Sequence, residues 1–208
     1  IVMSNAYKRS SKFDKDNYEI DPDNIYFWRM NEKRLEAEQI RDSLLFVSGK
    51  LEGSHKNISD FQTDIKNSSK ELRKYIGETR ARSIYIPSLR DNKIEVLDIF
   101  DRPDNSLLNA ERSVTTVSTQ ALFLMNNPKI IALAQEEAKV LLEHNKKMGK
   151  TMPNILYSNN INKIFLKFLG RPPTEQENKK SIEFIKQDSD LAKLIQIIIC
   201  TGEFRNVK

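Results

Sequence analysis

Cysteine is almost missing: Cys200 stands alone in 208 residues. An intramolecular disulfide is therefore impossible, and a cysteine-built metal centre has a single thiol where it needs several. Its setting, I-I-I-C, reads as a buried apolar position. Histidine is nearly as scarce, with only His55 and His144, far apart in the chain. A catalytic imidazole or a histidine-ligated metal has few places to sit, and surface imidazoles are the plainer reading. Six glycines and seven prolines are too few for a loop-rich all-β fold. No apolar run approaches the roughly 18 residues of a membrane span. No secretory leader pattern is visible. Like charges form no block, and aromatics do not alternate with basic residues as in single-strand binders.

What is present suits a packed domain. Hydrophobic residues make up 38% and charged residues 30%. That combination supports a core under a well-solvated surface, as one domain or two small ones. Net charge is +5. This balance permits an acidic partner: nucleic acid, an anionic membrane surface or an anionic glycan. The 29 acidic residues are scattered among 34 basic ones, however, so solubility alone accounts for it. Nucleic acid is not an expected partner.

The chain opens I-V-M-S-N-A-Y without an initiator Met. Ile1, Val2, Met3, Ala6 and Tyr7 read as the end of an amphipathic helix, so a longer parent protein is expected. Residues 8–23 read as an extended connector. Asp23 or Asn24 then caps a long predicted helix ending near Ser48, with Gly49 as its stop. Trp28, Leu35, Ala37, Ile40, Leu44 and Val47 mark its apolar stripe. Residues 53–79 suggest one or two shorter helices, carrying Ile58, Phe61 and Ile65, then Leu72, Tyr75 and Ile76. Ser83–Pro87 is the best strand candidate. Ile94–Phe100 suits a second strand or a helical turn equally.

From Ser118 the pattern is helical throughout. One helix covers 118–126. A second starts at Pro128, where the missing N–H costs nothing, and runs to about Asn145. A linker over 148–153 is a possible subdivision. The next helix aligns Ile161, Ile164, Phe165 and Phe168 and stops at Gly170. Thr174 and Glu177 form a T-x-x-E capping box. The segment 190–200 is apolar all round and predicts a buried helix. The fold expected is a mostly α, multi-helix domain with a minor short-strand element around 83–100.

Two clusters could carry chemistry. Glu38 lies four residues after Arg34 and three before Arg41, so on a helix it can bridge both. Such a group either grips an anion through guanidinium forks or forms an internal ion network. Arg112, Thr115, Thr116 and Ser118 lead into the helix at 118. They suit an anion at a helix N-terminus, or plain capping with Arg112 paired to Asp98 or Asp101. Gln120 could bond a sugar or a backbone carbonyl. No serine sits in a G-x-S-x-G elbow. Asp91, Asp98, Asp101 and Asp104 cluster, but aspartate is too common here to mark a glycosidase pair. Asp14–Asp23 lacks calcium-loop spacing.

Several stretches resemble one family in the same order along nearly the whole chain. These are S-N-A-Y-K-R-S-S (4–11), N-I-Y-F-W-R-M-N-E-K-R-L-E-A-E-Q-I-R-D-S-L-L-F-V-S-G-K-L (24–51) and R-S-I-Y-I-P (82–87). F-D-R-P-D (100–104), R-S-V-T-T-V-S-T-Q-A-L-F-L-M-N-N-P (112–128), G-R-P-P-T-E-Q-E (170–177) and G-E-F (202–204) continue the match. The chain resembles the planctomycete-type PSD-one domain of unknown function. Departures are Gly53-Ser54 where the family has Gly-Gly-Pro, Arg102 for an aromatic or apolar residue, and Thr119 for proline. The resemblance implies the C-terminal part of a large, exported bacterial protein, extracytoplasmic, that often carries a cytochrome c-like module. It implies neighbouring domains of the same polypeptide as partners, with a glycan or another protein as further candidates. No C-x-x-C-H run exists here, so no cofactor is expected in this chain and haem belongs only to a separate domain. The expected role is a non-catalytic interaction or structural module. The alternative is part of a polysaccharide-acting enzyme whose site is shared with a missing N-terminal half. The binding candidates are Arg34, Glu38, Arg41, Arg112, Thr115, Thr116 and Gln120.

Overall fold

A computed structural model describes residues 1–54, 65–89, 93–104, 107–108, 110–147 and 153–207. Helices dominate, as the periodicity requires. They are α1 (Lys15–Ile20), α2 (Ala37–Val47), α3 (Ile65–Glu78), α4 (Glu95–Ile99), α5 (Ser118–Asn126) and α6 (Pro128–Lys147). Then follow α7 (Pro153–Leu169), α8 (Glu175–Phe184), α9 (Asp190–Cys200) and α10 (Gly202–Arg205). Two short strands, β1 (Lys33–Arg34) and β2 (Asn206–Val207), pair antiparallel with Lys33 opposite Val207. Among the described residues no helix is long and apolar enough to cross a membrane.

The core forms around α9. Leu191, Leu194, Ile195, Ile198 and Ile199 are buried. They pack with Ile130, Leu133, Ala134 and Ala138 of α6, Leu124 of α5, and Ile161, Ile164, Phe165 and Phe168 of α7. Ile40, Leu44 and Val47 of α2 join the same cluster beside Leu97 and Phe100. Each such side chain contributes about 1.5–3 kcal/mol on burial. The prediction of an all-round buried helix at 190–200 needs correction, because Ile197 is 49% exposed. Cys200 is half-buried, and burial pushes its thiol pKa up.

Helix ends follow local chemistry. Gly49 (φ 64°) and Gly170 (φ 71°) close α2 and α7 in the left-handed region that glycine adopts without penalty. Thr174 and Glu177 form the expected reciprocal box at α8. Pro128 and Pro153 open α6 and α7 at the position proline tolerates.

Four expectations are corrected. The signature segment does not become helical at Asp23; α2 begins at Ala37, behind a Glu36–Gln39 capping box. Before it, the Asp21 carboxylate accepts the Ile25 and Tyr26 amides at 2.9 and 2.8 Å. The Asn24 side chain accepts the Arg29 amide (3.2 Å) and donates to the Arg29 carbonyl (2.8 Å). The Trp28 indole donates to the Asp21 carbonyl (2.8 Å). These local bonds offer the backbone a folded alternative to a helix. Residues 1–7 are exposed turns, not a helix end. The connector 8–23 contains α1, capped by Asp14, which accepts the Asn17 amide at 2.9 Å. No strand exists at 83–100 among the described residues: Ser83–Tyr85 is a 3-10 turn and Glu95–Ile99 is helical. The strand pair instead joins the signature segment to the chain's last residues. His55, Ile58, Phe61, Asp91 and most of the 148–153 linker lie outside the described residues.

Candidate functional site

Three family-motif segments meet near the start of α2. They are residues 34–42, the turn after α4 at 100–103, and the stretch 112–120 entering α5. Arg34, on β1, points inward. Its guanidinium donates to Asp101 Oδ2 at 2.7 Å, to the Phe100 carbonyl at 3.4 Å and to the Thr115 carbonyl. Asp101 holds a left-handed backbone (φ 66°) that turns the chain back. Its carboxylate also accepts the Thr115 amide (2.9 Å) and hydroxyl (2.7 Å). Gln120 is fully buried and donates to the Ile99 carbonyl (3.1 Å) and to Thr115 Oγ1 (3.4 Å). Burial pushes the Asp101 carboxyl up, but Thr115 and Arg34 outweigh it and hold the group below its ordinary value.

A second pair lies toward solvent. Arg112 forks onto Glu38, at 2.7 Å to Oε2 and 3.2 Å to Oε1, and lies 3.2 Å from Glu36. Burial raises the Glu38 carboxyl, yet the Arg112 fork brings it below its usual range. The same hydrogen bond raises Arg112. A third group is buried. Arg41 donates to the carbonyls of Ala81 (2.9 Å) and Thr79 (2.5 Å) and to Ser83 Oγ (3.1 Å). Asp42 accepts the Ser83 amide (2.9 Å) and hydroxyl (2.7 Å). Burial lowers the Arg41 guanidinium against the opposing pull of Asp42.

The expected pairings therefore change. Glu38 bridges neither Arg34 nor Arg41, because Arg34 lies on β1 ahead of the helix and binds elsewhere. Arg112 pairs with Glu38 rather than Asp98 or Asp101; Asp98 holds Arg102 at 3.0 Å and Asp101 holds Arg34. Thr115, Thr116 and Ser118 do not cap α5, whose N-cap position is Val117, without a side-chain bond. Thr115 serves Asp101 instead, and Thr116 is exposed outside this network. Gln120 takes the backbone-bonding role.

Beside these segments lies a groove of about 390 Å³. Ile84, Pro87, Ile94 and Leu97 line it together with Glu36, Glu38, Arg102 and Arg112. Arg34, Arg41, Thr116 and Gln120 are not among its walls. Among the described residues no group of three or more His, Cys, Asp or Glu could hold a metal ion.

Sequence reasoning missed Asp42, Ser83 and a clamp around Arg171. That guanidinium donates to both Glu203 oxygens at 2.7 Å and to both Glu177 oxygens at 2.9 and 2.8 Å. Arg171 pulls the Glu177 carboxyl down to about 2, helped by Thr174. The two Glu177 bonds raise Arg171 well above its usual value, Glu203 adding to them. The signal was present in two separated motifs, G-R-P-P-T-E and G-E-F, but spacing alone does not join them.

Chemically, these arrangements hold segments together. Each carboxylate faces a guanidinium, and Asp101, Glu38 and Glu177 are all held below their ordinary values, which keeps them ionised at neutral pH. A general acid needs the opposite shift. The class so defined is a mostly α module whose motif residues form internal ion clamps.

The chain belongs to the PSD1 family, described as a protein of unknown function (DUF1553), whose model matches residues 1–185. No curated protein and no solved structure matches it. The match stops short of α9, so the G-E-F element at 202–204 lies beyond it.

Proposed function

We propose that this chain is a non-catalytic interaction module of an exported, extracytoplasmic bacterial protein. It docks a neighbouring domain of the same polypeptide, with a glycan or another protein as further candidates, and any haem belongs to a separate domain. One observation supports this reading most. The candidate residues do not converge on one cleft. Arg34 and Arg41 turn inward onto Asp101 and onto backbone carbonyls, and only Glu38 and Arg112 border the groove. The exposed Glu38–Arg112 pair and the groove beside it are then the docking face.

The test combines binding and turnover. Arg112→Ala is expected to weaken association with a purified adjoining domain, measured by titration calorimetry, while melting shifts little. Polysaccharide turnover by this chain, abolished by Arg112→Ala without unfolding, would overturn the reading. It would favour the second one, a polysaccharide-acting enzyme with a shared site. The open 390 Å³ groove bordered by Glu38 and Arg112 is the observation behind that alternative.

A further inference from the structure

The end of the chain is fastened to its middle by a short strap. After α9, the Thr201 hydroxyl accepts the Phe204 amide at 3.4 Å and starts α10. Phe204 is buried against Phe168, with ring centroids 6.3 Å apart. Arg171 grips its neighbour Glu203, at 2.7 Å to each carboxylate oxygen. β2 then runs beside β1, and the Leu35 amide donates to the Arg205 carbonyl at 2.7 Å. Each strand is only two residues long, and no third strand among the described residues joins them. A lone two-stranded ladder is marginal in water. The pairing therefore lasts only while Phe204 and Glu203 hold the strap down.

β1 passes the constraint on. Its second residue, Arg34, donates to Asp101 Oδ2 and to the Phe100 and Thr115 carbonyls. Asp101 in turn accepts the Thr115 amide and hydroxyl. Residues 112–117 have no helix or strand of their own. Among the described residues, their side chains bond through Thr115 to Asp101 and Gln120, and through Arg112 to Glu38 and Glu36. Glu36 and Glu38 stand just past Arg34 on the other stretch. Both halves of the exposed Glu38–Arg112 pair therefore hang on backbone that Arg34 ties together.

We propose that residues 203–207 form a latch. Closed, it holds β1 so that Arg34 orders the 112–117 stretch and sets the Glu38–Arg112 pair at the groove. Open, it frees both stretches while the helical core stays shut. Segments held by few apolar contacts open locally at less cost than the core. The latch buries one large apolar side chain, Phe204, and its Val207 is half exposed, whereas α9 buries five. A partner that binds only the closed face holds the latch shut by the same factor. That control of docking rests on the docking reading above; the latch and its coupling to Thr115 do not.

Amide hydrogen exchange of the 208-residue chain, followed by NMR, is the test. Glu203→Ala removes one half of the Arg171 grip and leaves Phe204 and the Arg171–Glu177 bonds in place. The Leu35 and Thr115 amides should both exchange at least about five-fold faster. The Ile195 and Ile198 amides of α9 should keep their rates. Thr115 shares no bond with Glu203, so its response reads the coupling rather than the lost contact. A chain ending at Gly202 is the second variant; it should keep a cooperative melt and show the same two accelerations, larger. Faster exchange at Leu35 alone overturns the proposal, and so do rates unchanged throughout. Acceleration shared equally by α9 overturns it too, as does loss of the cooperative melt in the chain ending at Gly202. Association with an adjoining domain that ignores Arg112→Ala would end the docking reading and leave the exchange result standing.

Discussion

At the residue scale, the two arginine–carboxylate pairs of the central motif differ in burial, and burial decides what each contributes. The Arg34 and Asp101 side chains are 10 and 15% exposed. Removing Arg34 leaves a nearly buried carboxylate without its counter-charge, held only by Thr115, which costs about 3 kcal/mol. Arg112 is 42% exposed, and a pair at that exposure contributes about 0–1 kcal/mol. Urea unfolding of Arg34→Ala and Arg112→Ala should show that order; equal losses would contradict it. The Arg171 clamp adds a pH dependence. Glu177 falls from 4.5 to about 2 in the folded chain, chiefly through Arg171. Its stabilisation is then complete above the unfolded pKa and is lost as pH falls toward 2. Glu177→Gln should flatten the stability profile across that acid window, measured by thermal melts. A profile unchanged from wild type would remove the clamp's role. Residue types were legible here, but their partners were not. Arg34 reads as a helix neighbour of Glu38 until β1 carries it to Asp101, 67 residues away.

At the element scale, local signals were legible wherever the determinant is local. The Thr174–Glu177 box, Gly170 and Pro128 each act within one turn, and each stands where the pattern places it. Thr174→Ala should destabilise by about 1 kcal/mol, read from a melting shift. Gly170→Ala forces a Cβ into φ 71°, with open space around it, so only backbone strain opposes it. A cost of about 1 kcal/mol is expected, and a stabilised variant would show that the αL conformation is not required. Two elements were illegible for opposite reasons. Residues 24–36 carry helical periodicity, but Asp21 and Asn24 capture the amides a helix would need. Ser83–Ile86 carries strand propensity but finds no partner strand among the described residues. Asp42 takes the Ser83 amide and hydroxyl and winds the segment into a 3-10 turn.

At the scale of the whole molecule, the domain extends past the family match. The match ends at Ile185, while α9 supplies five buried apolar side chains at the centre of the core. At about 1.5–3 kcal/mol each, their loss is on the order of 10 kcal/mol. That equals the whole net stability of an ordinary domain. Residues 1–185 alone should therefore lack a cooperative melt by circular dichroism, whereas 1–207 should retain one; a cooperative transition in the shorter chain would contradict this. Closure also depends on the far end of the chain. β2 pairs with β1, the Leu35 amide donates to the Arg205 carbonyl at 2.7 Å, and Glu203 reaches Arg171.

The sequence by itself determined the helical class, the end of α7, the capped start of α8, the buried stripe of α7, and the family. Those depend on periodicity, on caps and on residue order, which are properties of neighbours along the chain. Only the tertiary structure decided which carboxylate each arginine faces, where the two strands lie and which side chains border a groove. Those depend on contacts between segments tens of residues apart, and a guanidinium binds whichever carboxylate the packed helices bring within about 3 Å.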